Sequence, residues 1–148
     1  MSDEPLSLAL QALDRKERTV AEMGSWLRAR GVGDEEVEEV VDRLVSTGVL
    51  DDTRYARRYA EDKRELKRWG SERIRAALQD RGVTEDDIAE ALADGGGEAE
   101  LEQAVQILRE RGDTLADALE RQRALGALLR RGYGSETAYE AIRRARHD

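Results

Sequence analysis

One short pattern occurs three times along the chain and constrains the fold more than any other feature. It is a leucine followed three residues later by arginine and glycine, found in LRARGV at 27–32, LQDRGV at 78–83 and LLRRGY at 128–133. The glycines Gly31, Gly82 and Gly132 are 51 and 50 residues apart. Because similarity at a fixed period is the signature of a repeat protein, the sequence predicts three tandem copies with a period of about 50 residues.

Apolar residues recur at matching distances from these glycines. The shared positions lie eight and four residues before each glycine and six, nine and ten residues after it: Met23, Leu27, Val37, Val40 and Val41; Ile74, Leu78, Ile88, Ala91 and Leu92; Ala124, Leu128, Ala138, Ala141 and Ile142. Spacings of three and four residues are typical of one face of a helix. Each copy is therefore predicted to contain a helix, a glycine stop and a second helix.

Local signals support this division. Thr19 and Glu22 form a capping box that predicts a helix start at residue 19, and the three glycines suit left-handed helix ends. Asp34, Thr84 and Ser135 are predicted to cap the following helices. Another helical stretch precedes each pair, over 5–14, 52–68 and 98–111.

No segment alternates with a period of two, so we predict an all-α chain. It would consist of three tandem three-helix repeats forming an elongated, curved array. The expected units are residues 1–50, 51–96 and 97–148, with DGGG at 94–97 as a hinge.

Composition argues against most enzyme classes. The chain has no cysteine, and its one histidine, His147, is the penultimate residue. No Gly-rich phosphate loop, Ser-His-Asp set or HExxH motif occurs. We expect no catalysis, no metal and no cofactor. Without a basic amino-terminal region or a membrane-length apolar run, a cytoplasmic protein is expected, with no membrane partner.

The adjacent carboxylates Asp51 and Asp52 raise the alternative of a metal or acid–base site. Asp51 suits the N-cap of a helix, with Leu50 and Tyr55 as the partners of a hydrophobic staple. Asp52 then lies in the first turn, where its charge favours the helix dipole. Capping explains both residues, whereas a metal site would need further convergent ligands.

The helix predicted over 53–68 has two contrasting faces. Its apolar face carries Tyr55, Ala56, Tyr59, Ala60 and Leu66. Its opposite face carries Arg54, Arg57, Arg58, Arg64 and Arg68, with Glu61 and Glu65 among them. The basic face either binds a partner or is an ordinary solvated surface with weak ion pairs.

Charge blocks along the chain favour a binding role. Residues 53–81 carry ten Lys or Arg against five Asp or Glu, and residues 121–146 carry seven Arg against two Glu. The candidate partner-binding residues are twelve of the basic side chains of these blocks: Arg54, Arg57, Arg58, Arg64, Lys67, Arg68, Arg73, Arg75, Arg130, Arg131, Arg143 and Arg144. The net charge of −8 weighs against tight non-specific binding to bare DNA.

Trp26 is expected in the core, and Trp69 either packs in an inter-helix corner or contacts a partner.

Several stretches resemble the RecX family, bacterial regulators of the RecA recombinase. LDDTRYA at 50–56 and GSERIRAALQDRGV at 70–83 are similar to the family's central motifs, RTVAEMGSWLRARGV at 18–32 to its first unit, and LLRRGYGSETAYEAI at 128–142 to its third. The residues that carry the central resemblance are Leu50, Asp51, Asp52, Tyr55, Ala56, Gly70, Ile74, Leu78 and Gly82. Thr19 and Ser71 depart from the usual serine and proline, and both still suit a helix start.

The resemblance implies three three-helix repeats that act on a protein filament. Such a protein would bind in the groove of the RecA filament on single-stranded DNA and lower its ATP hydrolysis, strand exchange and co-protease activity. Blocked growth or disassembly of the filament would be the mechanism, and this chain would catalyse nothing. A monomer is expected, and single- or double-stranded DNA is a further candidate partner. Two alternatives remain open: direct nucleic-acid binding without RecA, and a helical scaffold for an unrelated protein.

Overall fold

The computed structural model describes residues 4–147 and is helical wherever that range has regular structure. The first repeat contains α1 (Glu4–Arg15), α2 (Val20–Ala29) and α3 (Asp34–Ser46). The second contains α4 (Asp52–Asp62), extended by a π-helical turn (Lys63–Lys67), then α5 (Ser71–Asp80) and α6 (Glu85–Ala93). The third contains α7 (Glu98–Arg111), α8 (Ala118–Arg130) and α9 (Ser135–Arg146). The predicted all-α repeat fold is confirmed.

Each group of three helices encloses its own apolar core. The first core is built from Ala9, Ala12, Met23, Leu27, Val37, Val40, Leu44 and Leu50. The second is built from Ala56, Ala60, Ile74, Leu78, Val83, Ile88, Ala91 and Leu92. The third is built from Ala104, Val105, Ile107, Leu108, Leu115, Ala124, Leu128, Tyr133, Ala138, Ala141 and Ile142. The periodic apolar positions therefore face the cores, with Val41 half-buried beside the first. The unit boundaries at 50/51 and 96/97 remain a prediction.

The helix–glycine–helix turn has the same geometry in all three copies. Gly31, Gly82 and Gly132 have φ of 84°, 79° and 97°. The N–H one residue after each glycine donates to the leucine carbonyl five residues earlier, at 3.2, 3.1 and 3.1 Å in chain order. These bonds satisfy carbonyls at the helix end that would otherwise lack partners. The repeat read from the sequence is therefore also a repeat of backbone hydrogen bonds.

The helix that follows each turn has its N-cap two residues after the glycine and its first helical residue three residues after it. Thr84 is the N-cap of α6, as predicted, and accepts a hydrogen bond from the Asp87 N–H. The predicted caps Asp34 and Ser135 are wrong, because they are the first residues of α3 and α9 and no side chain caps either helix. The N-caps are Gly33 and Gly134, which occupy the positions equivalent to Thr84 in the second repeat. Glycine serves as an N-cap at little cost in stability.

The predicted start of α4 is confirmed, while its predicted apolar face holds only in part. Asp51 is the N-cap and accepts a hydrogen bond from the Arg54 N–H. Leu50 is buried in the first core whereas Tyr55 packs against the second, so the two side chains join different repeats. Leu66 is 76% exposed, against the prediction. The wider π-helical turn changes the direction of its side chain.

The two junctions between neighbouring repeats use the same type of close contact, in which a turn glycine packs against a helix of the preceding repeat. A Cβ at Gly82 would collide with the Ala21 Cβ of α2, and one at Gly132 would collide with Arg73 of α5. At the first junction the Thr19 hydroxyl donates to the Arg81 carbonyl at 2.7 Å. The turn glycine of each later repeat thus lies against the start of the second helix in the repeat before it, and glycine permits that close approach.

Candidate partner-binding surface

Backbone hydrogen bonds fix the junction between the second and third repeats. The Gly70 N–H donates to the Arg131 carbonyl at 2.8 Å, and the Glu72 N–H donates to the Gly132 carbonyl at 2.9 Å. A Cβ at Gly70 would lie 2.5 Å from the Gly132 carbonyl carbon, so any side chain there would separate the two backbones. The loop before α5 and the turn between α8 and α9 are therefore held side by side.

This arrangement brings together five of the twelve predicted binding residues. We call them the junction basic cluster: Lys67, Arg68, Arg73, Arg130 and Arg131. The Arg73 guanidinium donates to the Arg130 carbonyl at 3.3 Å, and the Arg131 guanidinium donates to the Lys67 carbonyl at 3.2 Å. Cations separated by more than 50 positions in the sequence thus share one surface.

Arg68 is the structural centre of the cluster. Its backbone is left-handed, with φ of 55°, and ends the π-helical turn. Its guanidinium forms a two-pronged ion pair with Glu110 of α7, and its carbonyl accepts a hydrogen bond from the buried Tyr133 hydroxyl at 2.9 Å. The hydrogen bonds of this pair raise the pKa of Arg68 and lower the pKa of Glu110. Burial raises the pKa of Tyr133 to about 12.

The other four cations of the cluster are exposed. Within residues 4–147, no carboxylate forms an ion pair with Lys67, Arg73, Arg130 or Arg131. Four exposed cations without a paired acid, in a chain with a net charge of −8, form a locally positive surface. Such a surface attracts an anionic partner and orients it during encounter.

An aromatic ladder adjoins this cluster. Tyr55 and Tyr59 are stacked with ring centroids 6.2 Å apart, and Tyr59 meets Trp69 edge-on at 6.4 Å. All three rings are half-buried against the second core. Cations lie over two of the rings: Arg81 at 4.8 Å from the Tyr59 centroid, Lys63 at 4.9 Å from the Trp69 centroid, and Arg73 at 4.1 Å from the Trp69 centroid.

Two ladder cations, Lys63 and Arg81, were absent from the predicted binding set. The spacing of Tyr55, Tyr59 and Lys63 is four residues, which places them on one helix face and was a signal available in the sequence. Arg81 could not be assigned in the same way, because its place beside Tyr59 depends on how α5 packs on α4. Trp69 packs in the inter-helix corner, and Trp26 is half-buried with the Arg30 guanidinium 3.6 Å from its ring centroid.

The other predicted arginines lie elsewhere, and most have acidic partners. Arg57 pairs with Glu90 at 2.8 Å, and Arg58 pairs with Glu17 of the first repeat at 3.6 Å. Arg75 pairs with Glu85, Arg143 with Glu140, and Arg144 with both Glu140 and Glu98. Exposed pairs of this kind contribute at most about 1 kcal/mol each. They leave the arginines accessible to a competing anion.

Arg64 has a structural position. Its guanidinium donates to the carbonyls of Leu92 and Asp94 at the end of α6, and to the Ser71 hydroxyl at 3.2 Å. A cation at the carboxyl end of a helix is favoured by the helix dipole. The Arg54 guanidinium makes long contacts of 3.4 and 3.5 Å to two carbonyls before α4. We therefore assign Arg64 to the fold and not to the binding surface.

Asp52 also has a structural partner. Its carboxylate accepts a hydrogen bond from the Val20 N–H at the start of α2, at 2.9 Å, and so links the first two repeats. Burial raises the pKa of Asp52, and the nearby Asp87, Asp51 and Glu22 raise it further, although the hydrogen bond from Val20 opposes them. In residues 4–147 no group of three or more acidic or histidine side chains is arranged to hold a metal ion. The same range contains no helix long and apolar enough to cross a membrane.

Comparison with known proteins gives consistent matches. The model of the first three-helix domain of RecX matches residues 6–44, and that of the second matches residues 51–92. A regulatory protein RecX from Mycobacterium avium is 33% identical over 144 residues, covering 95% of this chain and 83% of the relative. One from Thermus thermophilus is 35% identical over 148 residues, covering 100% of this chain and 96% of the relative.

Solved structures agree. The crystal structure of RecX from Lactobacillus salivarius has a TM-score of 0.91 at 18% identity, covering 99% of this chain and 97% of that one. At that identity the likeness concerns the fold alone. A second crystal structure of a regulatory protein RecX has a TM-score of 0.81 at 25% identity, covering 95% of this chain and 70% of that one. From the matched domains, the relatives and the shared fold, we conclude that this chain belongs to the RecX family of regulatory proteins.

Proposed function

We propose that this protein regulates the RecA recombinase, mainly as a negative modulator. It would bind in the groove of the RecA filament on single-stranded DNA and lower ATP hydrolysis, strand exchange and co-protease activity. Blocked growth or promoted disassembly of the filament would produce these effects. Membership of a family of proteins named regulatory protein RecX is the observation that carries this proposal. The protein would act in the cytoplasm, as a monomer and without catalysis of its own.

The junction basic cluster is the part of the surface best suited to this task. Lys67, Arg73, Arg130 and Arg131 come from two repeats and are held in one place by backbone hydrogen bonds. A rigid cluster at a junction meets a partner without first ordering a loop, which lowers the entropic cost of binding. Repeats joined at two fixed junctions also suit contact with successive protomers of a filament.

A steady-state assay of ATP hydrolysis by RecA on single-stranded DNA tests the proposal. We expect this protein to reduce the rate when it is added at near-stoichiometric amounts. Because the contacts include charged groups, a higher salt concentration should raise the amount needed. An unchanged rate at both salt concentrations would remove RecA as the partner.

Direct nucleic-acid binding is the second candidate function, and the aromatic ladder favours it. Tyr59 and Trp69 lie beside the cations Lys63, Arg73 and Arg81. Proteins that bind single strands combine stacking rings with a positive surface. Fluorescence anisotropy with a labelled single-stranded oligonucleotide, without RecA, separates the two functions. Strongly salt-dependent binding together with no effect on RecA would favour this second candidate.

A further inference from the structure

A groove between α8 and α9 of the third repeat is distinct from the junction basic cluster. It has a volume of about 540 Å³ and an apolar floor of Ala118, Leu125 and Ile142. Tyr139 stands at its edge and is 61% exposed, which is unusual for a large ring. An exposed tyrosine beside an apolar floor has the composition of a protein-binding surface.

The rim of the groove is basic. Arg121, Arg143 and Arg146 line it, and among residues 4–147 no carboxylate does. Arg121 donates to the Leu115 and Ala116 carbonyls, at 3.2 and 2.9 Å, and is therefore held in place. Arg143 pairs with Glu140, whereas within residues 4–147 Arg146 has no ion-pair partner. An occupant must therefore supply negative charge beside its apolar contacts.

The shape of the groove indicates the form of the occupant. Its lining residues span Ala118–Leu125 on α8 and Tyr139–Arg146 on α9. Seven residues of helix extend about 10 Å, or two turns, so a helix laid between them would place its i, i+4 and i+7 residues on the floor. Nucleic-acid interfaces are more polar than this floor, so the groove favours a protein.

We propose that this groove binds an acidic amphipathic helix of a protein partner. The apolar stripe of that helix would cover Leu125 and Ile142 and pack against Tyr139. Its carboxylates would face Arg143 and Arg146. The inference does not depend on RecA, because it concerns residues separate from the junction basic cluster.

A library of labelled helical peptides of about 18 residues tests the proposal. Each peptide carries glutamates on one face and varied Leu, Ile, Phe or Tyr at positions i, i+4 and i+7 on the other face. Fluorescence anisotropy with the full chain should identify binders. Tyr139→Ala and Arg146→Glu should each weaken binding by about tenfold, which corresponds to about 1.4 kcal/mol. Arg123→Glu is the matched control, because Arg123 is exposed on α8 and does not line the groove.

Several outcomes would overturn the proposal. One is that no library member binds, and another is that lysine versions of the peptides bind equally well. Equal binding by wild type and both groove variants would also exclude the groove. If sedimentation shows self-association that Tyr139→Ala abolishes, a second copy is the occupant. Displacement of the peptides by single-stranded DNA would assign the groove to nucleic acid. Circular dichroism on each variant confirms that it is folded.

Discussion

At the scale of single residues, Asp52 shows how a sequence motif acquires a second role in the fold. The sequence accounts for Asp52 by its place in the first turn of α4. In the structure its carboxylate also accepts a hydrogen bond from Val20 of the previous repeat. The site is partly buried and close to Asp87 and Asp51, so the charge is costly there. The hydrogen bond is needed, whereas the negative charge is not.

Two substitutions at Asp52 separate the hydrogen bond from the charge. Asp52→Ala should lower the free energy of unfolding by about 1 kcal/mol, because the Val20 N–H loses its acceptor. Asp52→Asn keeps an acceptor and should stabilise the protein at pH 7. Urea denaturation at pH 7 measures both effects.

The pH dependence of the Asp52→Asn gain follows from the direction of the pKa shift. Because the folded-state pKa of Asp52 is raised, proton binding to Asp52 favours the folded state. This contribution to stability is complete below the ordinary pKa of 3.8 and is lost as pH rises through the folded-state pKa. Asparagine does not titrate, so its advantage over aspartate should shrink as pH falls toward 3.8. An advantage of the same size at pH 7 and pH 4 would contradict this account.

At the scale of the elements, the π-helical turn explains why one predicted helix face is only partly present. Up to Asp62 the helix follows the α-helical period, and Tyr55, Ala56, Tyr59 and Ala60 pack as the sequence predicts. Beyond it the period changes and Leu66 is exposed. The pattern of apolar residues does not reveal this change of period, because the change depends on tertiary contacts that the turn makes with other helices.

Arg64 lies in this turn and makes such tertiary contacts, so removal of its side chain should loosen a defined region. Arg64→Met keeps the length of the side chain but removes its donors to the Leu92 and Asp94 carbonyls. We expect a loss of about 1–2 kcal/mol of unfolding free energy. Hydrogen exchange of amides at the end of α6 and in the following loop should accelerate. Arg54→Met is the control, since the Arg54 guanidinium makes long contacts away from α6, and it should leave exchange in that region unchanged.

The turn glycines allow the junctions between repeats to be measured. Gly31 and Gly132 have the same left-handed backbone, but among residues 4–147 a Cβ at Gly31 meets nothing within 4 Å, whereas one at Gly132 collides with Arg73. Gly31→Ala should therefore cost about 1–2 kcal/mol from backbone conformation alone. Gly132→Ala should cost a further 1–3 kcal/mol from the collision. Equal losses of unfolding free energy for the two variants, measured by thermal or urea denaturation, would mean that the second junction accommodates the added methyl group without losing stability.

At the scale of the whole molecule, much of the fold was predictable and the binding surface was less so. The period of the glycines and the apolar offsets predicted three helical units, because those signals are local. The predicted N-caps Asp34 and Ser135 were wrong by one residue. Thr84 lies two residues after Gly82, and the same spacing in the other two repeats would have given the correct N-caps. The meeting of Arg73 with Arg130 depends on packing between repeats, and no local pattern reports that.

The junction also changes which arginines should be tested. Arg64 and Arg68 support the fold, so reversing their charge would disturb structure and binding together. Lys67 and Arg130 are exposed and, within residues 4–147, take part in no ion pair. Reversal of these two charges removes positive potential from the cluster with little effect on packing.

The most direct test of the central claim compares two double variants in the RecA ATPase assay on single-stranded DNA. The account predicts that Lys67→Glu/Arg130→Glu needs about tenfold more protein than wild type to inhibit hydrolysis to the same extent, a loss of about 1.4 kcal/mol. Arg15→Glu/Arg43→Glu changes the charge equally at exposed positions of the first repeat and should inhibit like wild type. Equal inhibition by wild type and both folded variants would contradict a role for the junction basic cluster, and no inhibition by wild type would contradict regulation of RecA itself.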